Sequence, residues 1–80
     1  MKLYVGNFVY TTTELELREL FATQGSVVDV RIVHDQFTRQ SKCFAYVKML
    51  NQKGADKAID TLHGIIVKDN RLVVKKARRI

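Results

Sequence analysis

The segments Leu3-Tyr4-Val5-Gly6-Asn7-Phe8 and Lys42-Cys43-Phe44-Ala45-Tyr46-Val47-Lys48-Met49 decide the fold of this chain. A β-strand turns successive side chains to opposite faces, so the alternation in both segments gives each strand an aliphatic face and a second, different face. The second face holds three aromatic rings and a cation: Tyr4, Phe44, Tyr46 and Lys48. One side of such a strand pair can close a core, and the other can stay open to a ligand.

Two helices are predicted around these strands. The first begins at a capping box, in which Thr13 and Glu16 satisfy free amides of the first turn, and Gly25 is expected to end it in the left-handed conformation. Its apolar residues recur at helical spacing: Leu17, Leu20 and Phe21. Asn51 can cap the second helix, which ends at His63-Gly64. The apolar stripe of that helix comprises Ala55, Ala58, Ile59 and Leu62.

Two further strands complete the pattern, at about Val27–His34 and Arg71–Lys76. Their inward residues are Val30, Ile32, Leu72 and Val74. Their outward residues are Arg31, Val33, Val73 and Lys75. Before the last strand, Ile65-Ile66-Val67 is a short apolar run typical of a minor strand, and Asp69-Asn70 indicates a turn.

The element order is βαββαβ, which predicts an α+β fold of the split-βαβ, ferredoxin-like kind. Two helices should cover one face of a four-stranded antiparallel sheet and leave the other face open. We expect residues 1–80 to form a single domain, since the chain has no proline and no glycine- or serine-rich stretch that would mark a linker.

The charge of the chain favours an anionic partner. Fourteen Lys and Arg against eight Asp and Glu give a net charge of +6, which attracts nucleic acid first and an anionic membrane surface second; solubility alone is the other explanation. No stretch of about 18 apolar residues predicts a membrane span, and no signal peptide is visible. We therefore expect an intracellular protein of the cytoplasm, or of the nucleus in a eukaryotic cell.

The two segments resemble the hexapeptide and octapeptide motifs of the RNA recognition motif family, and the order of elements matches along essentially all 80 residues. The family octapeptide runs basic, Gly, aromatic, Gly or Ala, aromatic, Val or Ile, any residue, aromatic. Five positions fit this pattern: Lys42, Phe44, Ala45, Tyr46 and Val47. Cys43 departs from it by placing a side chain where the family has glycine, and Met49 replaces the last aromatic.

The resemblance implies that the first and third strands are neighbours at the centre of the sheet and that the protein binds single-stranded RNA, with single-stranded DNA as a second ligand. Tyr4, Phe44 and Tyr46 would stack on bases. The basic residues expected near phosphates are Lys42, Arg31, Lys48, Lys75 and Arg78, of which Arg78 follows the last strand. We expect a monomer with no cofactor, no metal site and no small-molecule substrate.

Three other functions share this strand order. Some members of the family bind peptides instead of RNA, but they usually lose their sheet aromatics, and this chain keeps all three. Acylphosphatase-like enzymes need an Arg in the loop after the first strand, and residues 6–10 contain none. Copper carriers need a cysteine pair, whereas Cys43 is the only cysteine. No nucleophile–base pairing is evident, so the sequence predicts no enzyme and no catalytic residue.

Overall fold

A four-stranded antiparallel sheet carries two helices on one face, as the sequence predicts. The computed structural model describes residues 1–34 and 41–77, and for residues 34, 41 and 42 it describes the backbone alone. The elements are β1 (Lys2–Gly6), α1 (Glu14–Ala22), β2 (Val27–His34), β3 (Ser41–Met49), α2 (Gln52–Leu62), β4 (Ile66–Val67), β5 (Asn70–Arg71) and β6 (Val73–Lys76). The sheet order is β2-β3-β1-β6, and β4 and β5 form a separate hairpin.

The two quoted segments form the central strands β1 and β3. Their antiparallel register places Tyr4 opposite Tyr46 and Val5 opposite Ala45. Rings thus meet rings on one face of the sheet, while small and aliphatic residues meet on the other. The adjacency that the family resemblance implied is confirmed.

The core lies between the sheet and the two helices. The alternation predicted for the strands holds, because the inward residues of all four strands are buried and belong to one cluster. That cluster comprises Leu3, Val5, Phe8, Leu17, Phe21, Val30, Ile32, Ala45, Val47, Met49, Ala55, Ala58, Leu62, Leu72 and Val74. Leu20 and Ile59 only flank it. Within the described ranges, neither helix is long and apolar enough to cross a membrane.

The start of α1 follows the predicted capping box. The Glu16 amide donates to the Thr13 hydroxyl at 3.2 Å, and that hydroxyl lies 3.3 Å from Oε1 of Glu16. Asn51 occupies the corresponding N-cap position of α2, but its side chain makes no capping hydrogen bond. The predicted position of both caps is therefore right, and only the first makes the expected side-chain bond.

The prediction that Gly25 ends α1 in a left-handed conformation is wrong. Thr23 is the C-cap, with a right-handed backbone, and Gly25 is not among the described residues with positive φ. A Cβ on Gly25 would instead lie 3.0 Å from the Cα of Gly54 in α2. Gly25 lacks a side chain because the loop after α1 crosses α2 at this point.

A two-residue turn joins β4 and β5. Lys68 and Asp69 have φ values of 49° and 71°, and Val67 pairs with Asn70, which is the geometry of a type I′ hairpin. The turn predicted at Asp69-Asn70 therefore lies one residue earlier. Nζ of Lys68 lies 2.6 Å from Oε2 of Glu16, so an ion pair ties this hairpin to α1.

On each edge strand of the sheet, a side chain accepts a hydrogen bond from a backbone amide. On β2, the Ile32 amide donates to Oε2 of Glu14 at 3.0 Å. On β6, the Val74 amide donates to Nδ1 of His63 at 3.0 Å. These amides are thereby withheld from a further strand, and a free edge is otherwise a template for pairing with another chain.

Candidate nucleic-acid interface

The open face of the sheet carries a row of four side chains that runs across all four strands. Arg31 of β2 lies opposite Tyr46 of β3, Tyr46 lies opposite Tyr4 of β1, and Tyr4 lies opposite Lys75 of β6. We call these four residues the aromatic row. Its two tyrosines are central, and a cation stands at each end.

A second row, the charged row, lies on the side of the aromatic row toward the start of β1. It consists of Asp29 of β2, Lys48 of β3 and Lys2 of β1, which are also matched across the strands. Beyond the aromatic row on its other side, Phe44 of β3 lies opposite Gly6 of β1. The face thus changes from charged to aromatic to apolar along the strands.

Tyr4, Phe44 and Tyr46 form one cluster of partly exposed rings. The centroids of Tyr4 and Phe44 are 5.8 Å apart with their planes inclined by 24°. Tyr46 meets Tyr4 edge to face at 6.3 Å and Phe44 at 6.2 Å. All three distances fall in the range of about 4.5–7 Å at which aromatic rings attract one another, so the three rings pack together into one surface, which we call the platform.

Gly6 leaves the space into which the Tyr4 ring leans. A Cβ on Gly6 would lie 2.7 Å from Oη and 2.9 Å from Cε1 of Tyr4, which is closer than such atoms can approach. The absence of that Cβ lets the Tyr4 ring lie over the backbone of β1, beside Phe44. Gly6 therefore helps to set the position of the ring.

Two lysines lie against the tyrosine rings. Nζ of Lys75 is 5.3 Å from the centroid of Tyr4, and Nζ of Lys2 is 5.6 Å from that of Tyr46, which is within the range of a cation–π contact. Lys75 was predicted on this face. Lys2 was missed, although its even spacing from Tyr4 along β1 was the available signal.

The remaining predicted cations divide into two sets. Arg31 lies on the open face as expected, but its Nε is 3.2 Å from Oδ2 of Asp29, so a neighbouring carboxylate offsets its charge. Lys48 is exposed between Asp29 and Lys2. The side chain of Lys42 and the whole of Arg78 lie outside the described residues, and their contacts with a ligand stay predictions.

The backbone conformation of Cys43 explains why the family has glycine at this position. Its φ is 61°, in the left-handed region that side chains disfavour, and the pairing of β2 with β3 is irregular between Ile32 and His34. The Cys43 carbonyl accepts from the Asn7 amide at 3.0 Å. The irregular part of β3 therefore lies beside the end of β1.

The described part of the chain has no group of three or more His, Cys, Asp or Glu side chains placed to hold a metal ion. The chemistry available on the open face is that of flat rings and cations, which can stack on planar groups and attract anions.

Comparisons with known proteins agree on one family. A family model described as the RNA recognition motif matches residues 3–73. The chain is 39% identical over 64 residues to the 29 kDa ribonucleoprotein B, chloroplastic, of Nicotiana sylvestris, a match that covers 80% of this chain and 22% of that protein. The chain spans about a fifth of the length of this relative and of most of the other curated relatives it matches.

Two solved structures show the same fold. The crystal structure of RNA Binding Protein PG1 superposes with a TM-score of 0.96 at 32% identity, covering 100% of this chain and 96% of that one. The structure described as the Sxl-lethal protein/RNA complex gives a TM-score of 0.93 at 33% identity, covering 98% of this chain and 47% of that one.

Proposed function

The chain belongs to the RNA recognition motif family, and on that premise we propose that it binds single-stranded RNA on its open sheet face without catalysing a reaction. The observation that carries this proposal is the cluster of Tyr4, Phe44 and Tyr46, which is partly exposed on the face that the helices leave uncovered. A similar fold at 33% identity was solved as a protein/RNA complex, which supports the choice of ligand.

In the proposed mechanism, the rings bind the bases and the cations bind the phosphates. Unstacked bases lie on the aromatic rings, and each stacked base contributes about 1–3 kcal/mol to the free energy of binding. Lys2, Lys48 and Lys75 stand around those rings, where they can meet the phosphates. We expect Lys42 and Arg78 to add phosphate contacts of the same kind.

Single strands should be preferred over duplexes. A flat sheet cannot enter a stacked A-form helix, and the rings need bases that are free to lie on them. Single-stranded DNA should bind as well, because stacking does not read the 2′-hydroxyl. If a duplex and a single strand of matched charge bound equally well, plain electrostatics would explain binding.

Truncation of the rings tests the proposal. Phe44→Ala and Tyr46→Ala should each weaken RNA binding by about 1–3 kcal/mol in a fluorescence titration, with little change in the free energy of unfolding. Leu15→Ala is the matched control, because Leu15 is also apolar and exposed but lies on α1, on the helix side of the sheet. Ring variants that bind like this control would contradict the proposal.

A peptide-binding function on the same fold is the alternative, and the retained rings weigh against it.

We also propose that the protein is a monomer. The Glu14 and His63 side chains support this, because they accept hydrogen bonds from amides of the two edge strands. Sedimentation at working concentration tests this. The cytoplasmic location stays a prediction, since the Nicotiana relative is named for the chloroplast.

A further inference from the structure

A single carboxylate stands on the open face among the residues that the structure describes. The other acidic residues of these ranges lie on α1, on α2 or in the hairpin turn, whereas Asp29 lies in the charged row of β2. A carboxylate repels phosphate, so Asp29 weakens the attraction that its lysine neighbours provide. Its position requires a reason other than general affinity for RNA.

Asp29 lines a shallow recess beside the platform. The other lining residues are Lys2, Arg31, Tyr46 and Lys48. The recess has a volume of about 240 Å³, below the roughly 300–1,000 Å³ of sites that enclose a small molecule. It can therefore admit the edge of a planar group whose ring lies on Tyr46.

Asp29 and Arg31 leave hydrogen-bonding capacity for a ligand. Their bond joins Nε of Arg31 to Oδ2 of Asp29, and a carboxylate offers about four acceptor sites on its two oxygens. The Asp29 side chain is 49% exposed and that of Arg31 81% exposed. The pair thus presents two adjacent acceptors next to guanidinium donors.

Resting on the proposed function, we infer that this recess recognises guanine. Guanine is the one RNA base whose Watson–Crick edge carries two adjacent donors, N1–H and the N2 amino group, followed by the acceptor O6. The Asp29 carboxylate can accept from both donors, while Arg31 or Lys48 donates to O6. Adenine and cytosine offer one donor there, and uracil places one donor between two acceptors.

The strand register places this carboxylate within reach of a stacked base. Asp29 lies opposite Lys48, two residues from Tyr46 along β3, and such diagonal neighbours are about 7–8 Å apart. A base that stacks on Tyr46 and extends toward β2 brings its edge to Asp29. Stacking supplies affinity for any base, and the carboxylate selects among bases.

The test measures the binding of short uridine oligomers by fluorescence anisotropy. One guanosine is placed at each position in turn, and matching oligomers carry inosine, adenosine or cytidine at that position. At one position guanosine should bind on the order of tenfold more tightly than adenosine, and inosine, which lacks the N2 amino group, should fall between them. Asp29→Asn should abolish this preference, because an amide replaces one acceptor by a donor. Asp56→Asn makes the same charge change on α2 and should leave the preference unaltered.

Two outcomes overturn the inference. One is equal binding of all substituted oligomers by the wild-type protein. The other is a uniform gain of affinity in Asp29→Asn for guanosine and adenosine alike, which would mean that Asp29 only repels phosphates. In both cases RNA still binds and the proposed function stands; a wild-type protein that bound no oligomer would overturn both.

Discussion

Cys43 is strained by its own side chain. A non-glycine residue in the left-handed region costs roughly 1–2 kcal/mol, and Cys43 has a φ of 61°. The departure from the family's glycine was visible in the sequence, but the backbone conformation behind it was not. It depends on how β3 pairs with β2, at a position where their register is irregular.

Replacing Cys43 with glycine should therefore stabilise the protein. We expect Cys43→Gly to raise the free energy of unfolding by about 1 kcal/mol in chemical denaturation, with RNA affinity unchanged. Cys43→Ala is the control, because it removes the thiol and keeps the Cβ that causes the strain. A gain of equal size in the alanine variant would show that the thiol, and not the backbone, is responsible.

Gly6 should act on RNA binding through Tyr4. Gly6→Ala places a Cβ 2.7 Å from the Tyr4 hydroxyl, and the flexible ring can move away at little cost in stability. We expect weaker RNA binding than in the wild type, by less than the loss from Tyr4→Ala. In the Tyr4→Ala background Gly6→Ala should have no further effect on affinity; equal losses in both backgrounds would mean that Gly6 acts independently of the ring.

At the scale of elements, local patterns were predicted better than contacts between elements. The alternation of β1 and β3 and the Thr13 cap depend on neighbouring residues, and both appear as expected. The role of Gly25 depends on Gly54, which is distant in sequence. Lys2 shares the parity of Tyr4, which indicates the face on which it lies, but its contact is with Tyr46 on another strand and depends on the strand pairing.

The ion pair between α1 and the β4–β5 hairpin predicts a dependence of stability on pH. The hydrogen bond from Lys68, aided by its charge and by hydrogen bonds from Thr13, holds the pKa of the Glu16 carboxyl below its ordinary value of 4.5. A lowered folded-state pKa means that the contribution is complete above the unfolded-state pKa and is lost as the pH falls through the folded-state value. The exposure of both side chains keeps this contribution small.

Thermal unfolding measured from about pH 7 to about pH 3 checks this point. The wild type should be more stable than Glu16→Gln at neutral pH, and the difference should vanish in acid. Glu19→Gln removes the same charge from the same helix without touching Lys68 and serves as the control. A difference between wild type and Glu16→Gln that grew in acid would contradict the assignment.

At the scale of the whole molecule, the two sides of the sheet differ in charge. The helices carry five acidic residues (Glu14, Glu16, Glu19, Asp56 and Asp60) against three basic ones (Arg18, Lys53 and Lys57), while the open face carries four basic residues (Lys2, Arg31, Lys48 and Lys75) against Asp29. Among the described residues, positive charge is therefore in excess on the side that holds the rings, and negative charge is in excess on the helices. This asymmetry follows from the sequence once the parity of the strands and the positions of the helices are known.

The salt dependence of binding measures how many of these cations meet phosphates. With about three contacts, log K should fall against log salt with a slope of roughly −2, at about −0.7 per contact for single strands. Lys75→Ala should make the slope shallower by somewhat less than one unit for every RNA sequence. Lys57→Ala on α2 should leave it unaltered, and an equal change in both variants would mean that only net charge matters.

The most direct test of the central claim is chemical-shift mapping of the protein with a short single-stranded RNA. If the open face binds RNA, the ring protons of Tyr4, Phe44 and Tyr46 and the amides of β1 and β3 should shift on titration, while α1 and α2 should change little. Shifts concentrated on the helices with unperturbed rings, or no shifts at all, would contradict the account.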